Sequence, residues 1–181
     1  MMFHDMGRKG HWKVAVGLVT IFSVAMILCG CPLVSEHPLS DPATASVDAA
    51  LIGAWRSQDP ESGEWRRLTF QSSDGHVLVA TTPVDKADAE DSFRVFTTEM
   101  DGERFLNIRE LGTGMSGWYL LRYVIDGRKL VMTLVDDGLF KDRTFKGPAE
   151  LYDFVHQNIS DPRLYASRPD EENQDMIWER I

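Results

Sequence analysis

The chain of 181 residues holds only two cysteines, Cys29 and Cys31, and none in the 150 residues that follow. A disulfide between two cysteines separated by one residue would close a very small, strained ring. A metal site needs more ligands than two neighbouring thiols, and no second pair of cysteine or histidine residues accompanies them. We therefore predict a fold without a disulfide, and we predict neither a metal nor a cofactor.

Apolar runs long enough to span a membrane are also lacking at the front of the chain. The run at residues 14–28 has 15 residues without a charge, whereas a membrane-spanning helix needs about 20. It follows three basic residues, Arg8, Lys9 and Lys13. This order is typical of a secretory signal peptide. A buried core helix fits less well, because the run has no polar face. We predict that residues 1–30 are a signal peptide.

The end of this run, Leu28-Cys29-Gly30-Cys31, resembles the bacterial lipobox, in which Leu, a small residue and Gly or Ala precede an invariant Cys. The resemblance implies cleavage between Gly30 and Cys31 and a diacylglyceryl thioether on Cys31, with its new amino group usually acylated. Two or more acyl chains hold a protein firmly on a membrane. We expect a lipid-anchored, periplasm-facing protein of the bacterial cell envelope. Pro32, where Asp would retain a lipoprotein in the inner membrane, slightly favours the outer membrane.

Basic residues are scarce in the rest of the chain. Residues 31–181 hold 16 basic and 27 acidic residues, a net charge of −11. Such a surface disfavours nucleic acid and anionic headgroups as partners. Prolines and small polar residues without a hydrophobic period predict that residues 31–47, which include the lipidated terminus, are a flexible tether. Such a tether would place the domain on the order of 20 Å from the bilayer. We assign residues 48–181 to one globular domain.

Alternation of apolar and polar residues dominates that domain. Segments rich in β-branched or aromatic residues predict strands at 50–57, 64–72, 76–82, 92–100, 104–111, 117–125, 129–136 and 176–181. Asp101-Gly102 and Asp126-Gly127 are typical of two-residue hairpin turns. Residues 147–160 switch to helical spacing and predict one amphipathic helix. The fold class is therefore mainly β: an antiparallel up-and-down barrel of about eight strands, with one C-terminal helix before the last strand.

Gly53-Ala54-Trp55 resembles the Gly-x-Trp opening of lipocalin-like barrels, the calycin type. In that superfamily a late arginine packs over the tryptophan and closes one end of the barrel. The resemblance implies this structural role for Gly53, Trp55 and Arg180. The order of motifs across residues 48–181 also resembles a group of small uncharacterised bacterial proteins with such a barrel.

Residues with catalytic chemistry are few, and none forms a recognised constellation. The domain holds two histidines, His76 and His156, and lacks a nucleophile-elbow motif. The Gly-rich stretch 111–117 lacks the lysine and the helix of a phosphate loop. Asp136-Asp137 reads as a turn, and the acidic stretch 170–175 lacks the ligand spacing of an EF-hand. We expect no catalytic residue and no enzyme.

Two binding functions remain open from the sequence. A small apolar ligand or a lipid could occupy the barrel, as the lipocalin resemblance implies. Alternatively, the domain could be an interaction or structural module that docks an envelope protein. Whether the barrel interior is hollow or filled distinguishes these two functions. An apolar cavity favours ligand binding, whereas a filled interior with an exposed aromatic patch favours docking of a protein.

Overall fold

The computed structural model describes residues 33–59, 62–83, 90–112, 117–165 and 175–181. Within these ranges the chain forms nine strands, one α-helix and a short 3-10 helix at Pro162–Leu164. The strands are β1 (Val34–Ser35), β2 (Gly53–Gln58), β3 (Trp65–Ser72), β4 (Leu78–Pro83), β5 (Glu90–Met100), β6 (Glu103–Glu110), β7 (Trp118–Asp126), β8 (Lys129–Leu134) and β9 (Met176–Arg180), and the helix is α1 (Pro148–Asn158).

Strands β2 to β9 form a closed antiparallel barrel, in which each strand pairs with the next in sequence. The barrel closes where β9 pairs with β2, with Trp55 opposite Arg180. Closure leaves none of these eight strands as an edge strand, which protects the sheet from pairing with other chains. The predicted fold class is confirmed: an eight-stranded antiparallel barrel with one helix before the last strand, consistent with a lipocalin-like barrel.

The two ends of the barrel differ in their connections. At one end, called here the closed end, hairpin turns at 73–77, 101–102 and 127–128 join the strands, and residues 48–52 lead into β2. At the other, called here the loop end, the connections cover residues 59–64, 84–89, 111–117 and 135–175. The loop end therefore has the longer connections between successive strands.

The hairpin turns show how local sequence sets the register. Asp101 and Gly102 both have positive φ, 50° and 83°, as a type I′ turn requires. The other Asp-Gly turn lies one residue later than predicted. Asp126 still pairs with Lys129, so the two turn residues are Gly127 and Arg128, and only Gly127 has positive φ.

Helix α1 covers part of the outer wall. Pro148 stands in its first turn, where its missing N–H removes no helical hydrogen bond. Leu151 and Val155, one helical turn apart, are its buried residues. They share a hydrophobic cluster with Leu120, which β7 presents on its outer face. The helix thus shields from water a strand that is apolar on both faces.

The structure differs from the expected flexible tether over residues 33–47, called here the N-terminal strap. Its residues Leu33, Leu39 and Ala45 are buried, and β1 pairs with the start of β7. The backbone N–H of Leu39 donates to Asn107 Oδ1 at 2.7 Å. The strap has no hydrophobic period because these contacts are spaced along an irregular path. Among the described residues, 33–47 therefore pack as part of the same unit as residues 48–181.

Candidate functional site

The structure brings Gly53, Trp55 and Arg180 together at the closed end. The guanidinium of Arg180 lies 4.3 Å from the centroid of the Trp55 ring, and Nη1 donates to the carbonyl of Ile52 at 2.9 Å. A Cβ on Gly53 would approach that Nη1 to 3.1 Å, and Gly53 has φ of 130°. A glycine here therefore serves both the backbone conformation and the space that the arginine occupies.

At the closed end, a network of hydrogen bonds connects Asp48, in the segment that leads into β2, with side chains inside the barrel. Tyr123 donates from its hydroxyl to Asp48 Oδ2 at 2.8 Å, so Thr97 Oγ1, 3.1 Å from that hydroxyl, is the donor to Tyr123. Arg104 donates to the same Asp48 oxygen at 2.8 Å. Burial raises the pKa of Tyr123 well above its ordinary value, and the hydrogen bond to Asp48 acts in the same direction. The phenol therefore stays neutral and works as a buried donor.

Side chains fill much of the barrel interior between its two ends. The interior cluster includes six aromatic residues among the fifteen buried members. They are Trp55, Phe70, Phe93, Tyr119, Tyr123 and Trp178. Eight strands give an interior just wide enough for side chains or for one small ligand. The described interior is therefore close to the filled limit, and only a small ligand is compatible with it.

One polar group in this interior has no partner within the described parts of the chain. The indole Nε1 of Trp178 is inaccessible to water and has no hydrogen-bond acceptor there. By contrast, Trp55 Nε1 donates to the carbonyl of Leu51 at 2.8 Å. A buried donor without an acceptor is destabilising by about 1–3 kcal/mol, so native proteins rarely leave one unpaired. Trp178 therefore marks a position where a bound acceptor would stabilise the fold.

Charged and polar groups accompany the apolar interior toward the loop end. Arg66, on the same strand as the buried Leu68 and Phe70, forms an ion pair with Asp59 just beyond β2. Burial raises the pKa of Tyr119, and the charge of Glu110 adds to that rise. The loop end thus offers an apolar interior with a few polar groups, which is the usual composition of a small-molecule site.

The outer wall has two further features. An exposed apolar row crosses β7, β8 and β9, where Val124, Val131 and Ile177 are successive register partners. Val124 and Ile177 are 47% and 53% exposed. Outside the barrel, a groove of about 480 Å³ lies between residues 142–145 and α1. The groove is lined mainly by polar and charged side chains, with Phe145 and Phe154 as its aromatic members.

The remaining candidates from the sequence have structural partners. His76 Nδ1 donates to the carbonyl of Ala45 at 2.8 Å, which fastens the N-terminal strap. His156 Nε2 lies 2.7 Å from Asp101 Oδ2, which links α1 to the turn between β5 and β6. Asp136 accepts from the N–H of Gly138 at 2.7 Å, as a turn residue does. These contacts give each of the three a structural role.

Several predicted features lie outside the described residues. Gly30 and Cys31 are among them, as are residues 113–116 of the Gly-rich stretch and 170–174 of the acidic stretch. Over the parts that are described, no group of three or more His, Cys, Asp or Glu side chains could hold a metal ion. Across those same parts, no helix is long and apolar enough to cross a bilayer.

Comparison with known proteins found no matching family model, no matching curated protein and no matching solved structure.

Two residues that matter in the structure escaped the sequence analysis. Asn107 is fully buried in β6, where its side chain bonds the strap and Thr98. Trp178 was seen only as part of the last strand. An asparagine within a predicted strand was an available signal, because β-strands are depleted in asparagine. Nothing local distinguishes Trp178 from Trp55, because only the folded barrel shows which indole has no acceptor within the described parts of the chain.

Proposed function

We propose that this chain is a lipid-anchored protein of the bacterial cell envelope whose barrel binds a small, largely apolar ligand with one hydrogen-bond acceptor. The anchor part rests on the lipobox resemblance around Cys31, which implies a protein attached to the periplasmic side of a membrane. The ligand part rests on a single observation in the barrel, the buried N–H of Trp178, which finds no acceptor among the described residues. Binding is non-enzymatic and uses no cofactor.

The chemistry of the ligand follows from its surroundings. Leu130, the register partner of Trp178, and Met132, which follows on the same face of β8, are both buried. An apolar body would therefore be buried against aliphatic and aromatic side chains, whereas one carbonyl, ester or hydroxyl oxygen would accept from Nε1. Such a ligand gains from burial and also satisfies the donor. A small ester or ketone with a short apolar body has this combination of groups.

The test compares two tryptophan variants of the full chain, purified from the membranes of a bacterial host. Trp178→Phe keeps an aromatic ring and removes the N–H, whereas Trp65→Phe changes a tryptophan that is 59% exposed. Native mass spectrometry should show a small molecule retained by the unchanged protein and by Trp65→Phe. We expect roughly tenfold weaker retention by Trp178→Phe, the loss typical of one hydrogen bond. Equal retention by both variants, or no retained small molecule, would contradict the ligand proposal.

A second candidate function, docking of an envelope protein, has its own observation. In the row of Val124, Val131 and Ile177, the two outer residues are exposed and Val131 is half-buried, on a wall that α1 and the strap do not cover. Exposed apolar patches often mark protein interfaces. The double variant Val124→Lys with Ile177→Lys would release a docked protein in the same mass spectra. It would leave a ligand in the barrel unaffected, because both side chains point outward.

A further inference from the structure

The position of Leu33, the first described residue, restricts where a lipid on Cys31 would lie. Leu33 is buried, and its backbone N–H donates to the carbonyl of Val135 at 3.1 Å, just after β8 ends. Consecutive Cα atoms are about 3.8 Å apart, so the Cα of Cys31 lies within roughly 7.6 Å of that of Leu33. Only Pro32 separates them. A lipid on Cys31 would therefore hold the bilayer close to this wall, not at the end of a long tether.

A positively charged segment lies on the same outer wall of the barrel as Leu33, between Phe140 and α1. Leu33 belongs to the hydrophobic cluster that also contains Phe140 and against which Phe145 packs. Residues 141–146, which follow Phe140 and include Phe145, form a loop before α1. This loop is called here the basic loop. It holds three cations, Lys141, Arg143 and Lys146, and one acid, Asp142. Its charged side chains are exposed. The basic loop thus stands out in residues 31–181, whose net charge is −11.

Neighbouring groups leave these cations accessible. Lys146 Nζ lies 3.8 Å from Glu150 Oε1, but the lysine side chain is 89% exposed, so the pair is weak. Arg143 stacks over the ring of Phe154 at 4.5 Å, which holds the guanidinium at the surface. Glu150 and Asp153 line the adjacent groove, so the positive surface is limited to the loop itself.

We propose that the basic loop docks on anionic phospholipid headgroups and fixes the barrel with this loop toward the bilayer. This inference rests on the proposed lipidation of Cys31, which supplies the proximity. Cations close to an anionic leaflet are attracted to it, by roughly a fivefold gain in binding for each Lys or Arg. The acidic remainder of the surface is repelled by the same leaflet, which opposes other orientations. The chain as a whole disfavours anionic headgroups, and the basic loop, with three cations and one acid, is the local exception.

The experiment measures which part of the full lipoprotein lies against the membrane. Cys29 leaves with the signal and Cys31 is blocked by lipid, so one introduced cysteine takes a fluorescent label alone. Thr144→Cys places the label in the basic loop, and Ser73→Cys places it in an exposed turn at the closed end. Each labelled protein is reconstituted in phosphatidylcholine vesicles with or without phosphatidylglycerol. Quenching by acrylamide in the water phase then reports the exposure of each label.

We expect the label at residue 144 to be several-fold less quenched than the label at residue 73, and only in vesicles containing phosphatidylglycerol. Lys141→Glu should remove this protection, whereas Lys129→Glu, which changes an exposed lysine at the closed end, should not. Equal quenching of the two labels, or equal protection without the anionic lipid, overturns the inference. The intact mass of each sample reports lipidation. A chain without lipid overturns the anchor together with this inference, whereas a lipidated chain with equal quenching overturns this inference alone.

Discussion

The guanidinium of Arg180 lies 4.3 Å from the centroid of the Trp55 ring, across the pair of strands that closes the barrel. The contact joins two residues 125 positions apart, and the arginine also donates to the carbonyls of Ala50 and Ile52. One side chain therefore links residues 50–52, the first barrel strand and the last strand at the closed end.

Replacing Arg180 with alanine should loosen the closed end. The variant loses the stacking on Trp55 and leaves two backbone carbonyls without their donor. Because the arginine is partly exposed and water can replace some of these contacts, we expect a loss of about 1–2 kcal/mol in the free energy of unfolding. Urea denaturation measures it. The matched variant Arg56→Ala removes an exposed arginine that stacks on Trp65, and its loss should stay within about 0.5 kcal/mol.

Replacing Gly117 with alanine should detach β1 from the barrel. A Cβ on Gly117 would overlap the Cγ1 of Val34 and approach the carbonyl of Ser35 to 3.1 Å. We expect a destabilisation of about 1–3 kcal/mol, as for other overpacked positions, in thermal or urea unfolding. Gly75→Ala is the control, because a Cβ there meets nothing within 4 Å. Equal stability of the two variants would show that β1 contributes nothing to the packed unit.

Replacing Asn107 with leucine should release the N-terminal strap. Its Oδ1 accepts from Leu39 N–H and its Nδ2 donates to Thr98 Oγ1 at 2.9 Å. The variant leaves Leu39 without its acceptor, so we expect a loss of about 1–3 kcal/mol. Limited proteolysis should then cleave within residues 33–47 faster than in the unchanged protein. Asn158→Leu is the control, since the Asn158 side chain donates to the carbonyl of Phe154 within α1 and does not contact the strap among the described residues. Unchanged cleavage in Asn107→Leu would refute the role of this side chain.

The protein should lose stability at alkaline pH because of Tyr123. Burial raises the pKa of this phenol in the folded state, so the folded chain keeps a proton that the unfolded chain releases above about pH 10. Stability is therefore fully present below about pH 10 and falls as the pH rises above it. Tyr123→Phe should reduce this fall, although Tyr119 and Tyr165, whose pKa values burial also raises, still contribute. Urea unfolding at pH 8 and pH 11 measures the fall in the free energy of unfolding for the unchanged protein and for Tyr123→Phe. An equal fall in the two proteins would contradict the role of the buried Tyr123 phenol.

Local sequence patterns were sufficient to predict the barrel strands and the helix. Alternating strands, Asp101-Gly102 with two positive φ values and the spacing of Leu151 and Val155 each act over a few residues. Such short-range signals can be read without the fold. The Trp55 and Arg180 pair was expected from a family resemblance, because no local pattern connects residues so far apart.

Long-range contacts explain what the sequence analysis missed. Leu39 and Asn107 are 68 residues apart, and neither belongs to a periodic pattern that would join them. The strap therefore resembled a tether in composition while it packs as part of the domain. That the indole N–H of Trp178 finds no acceptor among the described residues is likewise a property of the assembled barrel, since it depends on which acceptors the other strands present.

Lipidation of Cys31 is the central claim of this account, because both the location in the cell envelope and the docked orientation depend on it. The most direct measurement feeds bacteria an alkyne fatty acid while they express the full chain or its Cys31→Ser variant. The account predicts label on the unchanged protein, an intact mass that begins at Cys31 with a diacylglyceryl group, and no label on Cys31→Ser. Label that persists on Cys31→Ser, or an unchanged chain that carries no lipid, would contradict it.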